Sequence, residues 1–177
     1  MKILAIQNRM GIGDMIIYLP FIEAISKKFN TKVDILVKDS SKASEILKEN
    51  KFINEIINLD RNNINRKGVH DGIFGSFSLA NQLKPYKFQK VFIFNSSLRY
   101  KLICNLASIK EIYQYPLFKK KKQHIILAAE NFVKNSIGKT VESEPIIKIN
   151  EKSKIDAASK YKITKKEKNI ILGIGGS

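Results

Sequence analysis

Apolar runs too short to be helices alternate in this chain with longer segments whose hydrophobic residues recur at helical spacing. That alternation constrains the fold more than any other feature. Residues 2–7 (KILAIQ), 32–38 (KVDILVK), 53–59 (INEIINL), 90–95 (KVFIFN) and 110–115 (KEIYQY) read as strands, with two more expected at 145–149 (PIIKI) and 169–175 (NIILGIG). The first helix should run from Asp14 to Phe29, with Ile17, Phe21, Ala24 and Ile25 on one face, and Pro20 should kink it or lie near its first turns. Further helices are expected at 40–49 behind Ser40 or Ser41 as N-cap, at 77–86 up to Pro85, and at 96–108. Two more are expected at 124–136, with Gly138 as terminator, and at 151–162. The polar, glycine-containing segment 60–72 reads as an exposed loop. Strands alternating with helices imply an α/β fold, a Rossmann-like parallel sheet with helices on both faces.

With 177 residues and 44% hydrophobic content, the chain fits one ordinary globular domain. It has no apolar run of membrane-spanning length and no basic n-region with a cleavage site, so a cytoplasmic location is expected. The single cysteine, Cys104, can form neither an internal disulfide nor a cysteine-based metal cluster and reads as a buried apolar residue. The net charge of +16 attracts anions. Only four of the 32 basic residues are arginines, and the Lys, Ile and Asn excess matches an AT-rich coding bias. Because arginine is the better fork for carboxylate and phosphate, the four arginines carry more weight than the average lysine.

The stretch QNRMGIGDMIIYLP (7–20) follows the first strand. A dinucleotide-binding turn needs a third glycine where Ile16 stands, and Asp34 lies inside the second strand instead of ending it. No Walker-type loop is present either. What Gly11 and Gly13 provide is a tight turn at the carboxyl edge of the sheet, where open α/β sheets bind ligands. Asp14 then heads the helix, either as an N-cap or as a general base aimed into the cleft. At the other end, KNIILGIGGS is a strand running into a glycine turn with no helix after it. The chain therefore reads as the first half of a longer protein, with residues 1–168 as one domain and 169–177 as the start of a second.

The segment ILAIQNRMGIGDMIIYLPFIEAISKKFNTKVDILV resembles the opening of the ADP-heptose:lipopolysaccharide heptosyltransferases, the family-9 glycosyltransferases. PYKFQKVFIFNSSLRYKLICNLASIKEIYQY, QHIILAAENFVKNSIG and NIILGIGGS extend the resemblance over nearly the whole chain. The resemblance implies the N-terminal, acceptor-binding half of a GT-B glycosyltransferase. Asp14 would take the proton from an acceptor hydroxyl as that oxygen displaces ADP at the anomeric carbon, an inverting step that needs no metal and no other cofactor. The implied partners are the nucleotide sugar ADP-heptose and an anionic, lipid-linked inner-core sugar. Gly11 and Gly13 would clear space for the acceptor, and Arg61, Arg66 and Lys67, in the loop after the third strand, would hold its charge. Lys119 to Lys122, with Lys120 among them, form a second basic loop with the same expected role. Either loop could also touch the anionic inner face of the inner membrane.

Ser96 and Arg99 open the helix after the fourth strand, and His124 heads a later one; each reads as a helix-end residue or as an acceptor contact. His70 falls in the polar loop, and two isolated histidines suggest no metal site. Gly175, Gly176 and Ser177 would begin the turn that holds the donor diphosphate. No groups follow them to stabilise the leaving nucleotide, so little transfer is expected from these 177 residues alone. Two rivals remain: a GT-B transferase with another donor and acceptor, and a non-catalytic basic module for nucleotides or nucleic acid. The second would want aromatic platforms among its charges. Here Phe and Tyr fall mostly in strands and on helix faces, so nucleic acid is not the expected partner.

Overall fold

The computed structural model describes residues 1–61, 66–116, 123–142 and 144–164. Five strands, β1 (Ile3–Ile6), β2 (Val33–Val37), β3 (Ile53–Asn58), β4 (Lys90–Ile93) and β5 (Glu111–Gln114), form one sheet in the order β3-β2-β1-β4-β5. Every neighbouring pair is parallel. The central strands β1 and β2 are buried at every position, whereas the edge strands β3 and β5 are only partly covered. This is why the central strands are continuously apolar while β3 carries exposed Asn54, Glu55 and Asn58.

Side-chain alternation along the strands feeds two cores. Ile3, Ala5, Val33, Ile35, Val37, Phe92 and Phe94 face α1 (Ile12–Phe29) and α5 (Ile125–Ile137). Leu4, Ile6, Leu36, Val91 and Ile93 face α3 (Gly72–Leu83) and α4 (Leu98–Leu106), where Cys104 is buried as expected. Burial alone pushes the Cys104 thiol up to about 12, so it stays protonated and inert. The α/β, Rossmann-like reading of the sequence holds. The chain runs outward from β1 to β2 and β3, then returns to lay β4 on the other side of β1. The gap between β1 and β4 is thus the switch point of the sheet, and its carboxyl edge is where such folds bind ligands.

Several sequence expectations shift. α1 begins at Ile12 with Gly11 as its N-cap, so Asp14 sits inside the first turn and is not the cap. Pro20 lies buried in the helix interior, and the helix continues through it to Phe29. In place of one helix at 40–49 there is a 3-10 turn, Asp39–Ser41, followed by a single-turn helix α2 (Ala43–Ile46) capped by Lys42. Lys42 adopts a left-handed backbone, which breaks the segment in two. α3 starts at Gly72, earlier than expected, and ends at Leu83 before a 3-10 turn. Its two early glycines look like breakers in the sequence. Gly75 is there for contact: a Cβ at this position would lie 2.2 Å from the backbone carbon of His70.

Residues 145–149 form no strand; Ile146 and Ile149 are exposed. An apolar run becomes a strand only where a sheet edge pairs with it. Two compact units divide the chain, Met1–Ile147 and Lys148–Ser177. The described part of the second contains α6 (Glu151–Lys160), capped by Asn150, whose side-chain oxygen accepts the Ser153 N–H at 2.7 Å. The expected strand at 169–175 and the division at residue 168 lie outside the described residues.

Candidate functional site

At the carboxyl edge of β1 the backbone turns through Gln7, Asn8, Arg9 and Met10 into α1. Gly11 holds φ 109° and ψ 154°, a combination open in practice to glycine alone. No atom would lie within 4 Å of a Cβ at Gly11 or Gly13, so both open onto free space. Asp14 follows at the third helical position, with its side chain 24% exposed and an oxygen 3.8 Å from the Arg9 guanidinium. The helix N-terminus and Arg9 together surround this carboxylate with positive charge.

One turn further along α1, Tyr18 lines a cleft of about 760 Å³. Arg9, Phe94, Asn95, Ser96, Tyr115 and Gln123 also line it, with Asn131 and Asn135 from α5. Its apolar wall is an aromatic cluster: Phe94 meets Tyr18 edge-on at 5.1 Å and Phe132 at 5.2 Å, and Tyr115 meets Phe132 at 4.9 Å. Burial raises both the Tyr18 and Tyr115 phenols, so they remain neutral hydroxyls facing one another. The cleft thus pairs an aromatic wall with amides and hydroxyls, a surface suited to a sugar ring.

A cationic cluster occupies the same edge on the α3–α4 face. Arg61, shortly after the end of β3, is three-quarters covered, and its Nε lies 3.9 Å from Asp71. Its charge reaches Lys38 and Tyr100. Lys38 is buried at the end of β2, and burial, with Arg61 adding to it, holds its ammonium below the usual lysine value. Arg66 binds Asp60 at 3.0 Å, and Lys67 is exposed beside it. Arg99 spends both terminal nitrogens on backbone carbonyls, those of Gly72 at 2.7 Å and His70 at 2.6 Å. It therefore ties the end of the 60–71 segment to α4. His70 is buried too; its Nδ1 accepts the Asp60 N–H at 3.1 Å, which puts the ring proton on Nε2.

Asn8 joins the two regions. Its side-chain oxygen accepts from Asn95 Nδ2 at 2.9 Å, across the switch point. The Asn95 oxygen in turn accepts the Ser97 N–H at 2.7 Å, which leaves Ser96 to line the cleft. His124 is the N-cap of α5, accepting the Ile126 N–H, while its neighbour Gln123 reaches the cleft. Lys120, with the rest of 119–122, and Gly175, Gly176 and Ser177 lie outside the described residues. Among the described residues no group of three or more His, Cys, Asp or Glu could hold a metal ion, and no helix is long and apolar enough to cross a membrane.

Sequence reasoning missed Arg9, Lys38, Tyr18 and Tyr115. Arg9 had a signal, as one of only four arginines directly before the glycine turn. The tyrosines and Lys38 had none, because a residue at a strand end or on a helix face looks like any other core position.

No family model matches this chain, and no curated protein does. Solved structures do. A glycosyl transferase family 9 protein from Veillonella parvula superposes with a TM-score of 0.70 at 19% identity, over 92% of this chain and 50% of that one. The fold is that of half a GT-B glycosyltransferase. The ADP-heptose lps heptosyltransferase II of E. coli gives 0.63 at 15% identity, over 93% of this chain and 52% of its own. E. coli heptosyltransferase WaaC, solved with ADP-2-deoxy-2-fluoro heptose, gives 0.52 at 12%, over 80% of this chain and 50% of its own. The chain spans about half the length of each of these structures.

Proposed function

We propose that this chain is the acceptor-binding N-terminal half of a heptosyltransferase-like glycosyltransferase. The observation that carries the reading is the position of Asp14: a lone carboxylate in the first turn of α1, at the switch-point edge, one turn from a sugar-sized cleft. In the reaction the Asp14 carboxylate accepts the proton of an acceptor hydroxyl. The freed oxygen pair attacks the anomeric carbon, and the nucleoside diphosphate leaves from the opposite face with the bonding electrons, inverting the centre. One proton transfer needs one base.

Arg61, Arg66 and Lys67 meet the negative charge of a lipid-linked inner-core sugar, with Lys120 as a further contact. Ser96 bonds to sugar hydroxyls from the cleft side, with His124 at its rim. Arg99 serves by holding the 60–71 segment, so that Arg61 is presented from a fixed frame. Gly175, Gly176 and Ser177 open the donor-diphosphate turn that a second domain, beginning at 169, completes. The donor is a nucleotide sugar such as ADP-heptose, and the enzyme works at the cytoplasmic face of the inner membrane.

Asp14→Asn in the enzyme completed by its donor half tests the base. It should lower kcat by about 10²–10⁴-fold while acceptor binding, read by calorimetry, stays intact. Unchanged kcat would reduce Asp14 to a residue of the helix start.

A further inference from the structure

α3 and α4 lie side by side on one face of the sheet, and each turns apolar side chains outward. On α3, Phe74 is 88% and Ile73 75% exposed, with Phe77 beside them; on α4, Leu98, Leu102 and Leu106 form an exposed stripe at four-residue spacing. Val69, in the turn before α3, is exposed as well. Single apolar residues on a surface are ordinary, but two neighbouring helices both apolar on the outside are not.

The charge carried by the segment that forms them is one-sided, although Lys90 within it pairs with Glu111. Residues 72–110 contain Lys84, Lys87, Lys90, Arg99, Lys101 and Lys110 and not one Asp or Glu. In a chain that elsewhere mixes both signs, this is the stretch that forms both helices. We propose that the outward face of α3 and α4 docks on an anionic phospholipid bilayer. Phe74, Ile73 and Leu102 enter the boundary between headgroups and acyl chains, and Lys84, Lys87 and Lys101 meet lipid phosphates. A second copy fits this face poorly, since pairing it with itself would bring its lysines together, and the carboxylates at its Val69 end, Asp60 and Asp71, are already held by Arg66 and Arg61. The surface is argued without the basic residues Arg61, Arg66 and Lys67. It rests on the membrane location proposed above and is independent of the acceptor assignment.

The test is co-sedimentation of the 177-residue chain with sugar-free vesicles, of phosphatidylcholine alone or mixed with phosphatidylglycerol. Because the vesicles carry no acceptor, failure here leaves the Asp14 reading standing, and failure of the Asp14 test leaves this one standing. The chain should bind the mixed vesicles, less so at high salt, and not the neutral ones. Phe74→Ser with Leu102→Ser, both exposed and so compatible with folding, should lower partitioning about tenfold or more. Lys84→Glu with Lys101→Glu should lower it comparably, and Lys28→Glu on α1, across the sheet, should leave it unchanged. Circular dichroism checks that each variant is folded. No binding to mixed vesicles, equal binding to neutral ones, or indifference to both double variants overturns the proposal. So does light scattering that finds a dimer of the parent chain dissociated by the Phe74 and Leu102 pair.

Discussion

Gly11 and Gly13 stand two residues apart, yet the backbone asks different things of them. Gly11 occupies a conformation that a side chain resists, so Gly11→Ala should cost about 1–3 kcal/mol in thermal or urea unfolding. Gly13 is already helical and faces open space, so alanine there should stabilise by about 0.5–1 kcal/mol. If Gly13 clears room for the acceptor, Gly13→Ala raises the acceptor KM of the completed enzyme even as the fold becomes more stable. An unchanged KM would remove Gly13 from the site. The sequence marked both glycines without telling them apart, because spacing carries no φ. Asp14 was legible as a helix-start carboxylate, but its partner Arg9 was not, since that pairing depends on how the turn folds back.

The five strands, their parallel sheet and helices on both of its faces could be read at the level of elements, because buried strands and amphipathic helices have different periods; the order of strands across the sheet could not. The errors came where the partner decides. Residues 145–149 have the composition of a strand but pair with no sheet edge, and α3 starts ahead of the expected 77 and runs across Gly75, whose lack of a side chain the contact with His70 requires. Residues 60–72 read in sequence as an exposed loop, yet the described ends of this segment are anchored, Asp60 on His70 and His70 on Arg99. The stability that this anchoring contributes should depend on pH. Burial, opposed by Asp60 and reinforced by Arg99, holds the His70 imidazole below its usual 6.5. The unfolded chain therefore binds more protons between that lowered value and 6.5, so stability rises with pH across the window. It is fully present above 6.5, is lost as the pH falls towards the folded value, and levels off below it. Urea midpoints of the parent and His70→Gln, compared from pH 7.5 down to 5, should diverge in slope over this window. Parallel curves would show that His70 does not govern it.

At the scale of the molecule, the chain matches half of each solved glycosyltransferase that it resembles. Incubated alone with a nucleotide sugar and a lipid-linked acceptor, these 177 residues should transfer little or no sugar, as followed by mass spectrometry of the acceptor. Robust transfer would mean that the leaving diphosphate is stabilised without a second domain. Acceptor binding by the same chain is expected to survive, since the groups assigned to it belong to the first compact unit, apart from Lys120, whose segment lies outside the described residues.

The Asn8–Asn95 hydrogen bond has a further consequence. It pins the ends of two strands that the chain reaches far apart in sequence, at the same carboxyl edge that carries the Arg9–Asp14 and Arg61–Asp71 pairs. A ligand spanning both would meet groups already held in register, so little of its binding energy would be lost to reorganising the protein. Loosening that one amide pair would leave every charge in place and still blunt the site, because what it supplies is preorganisation.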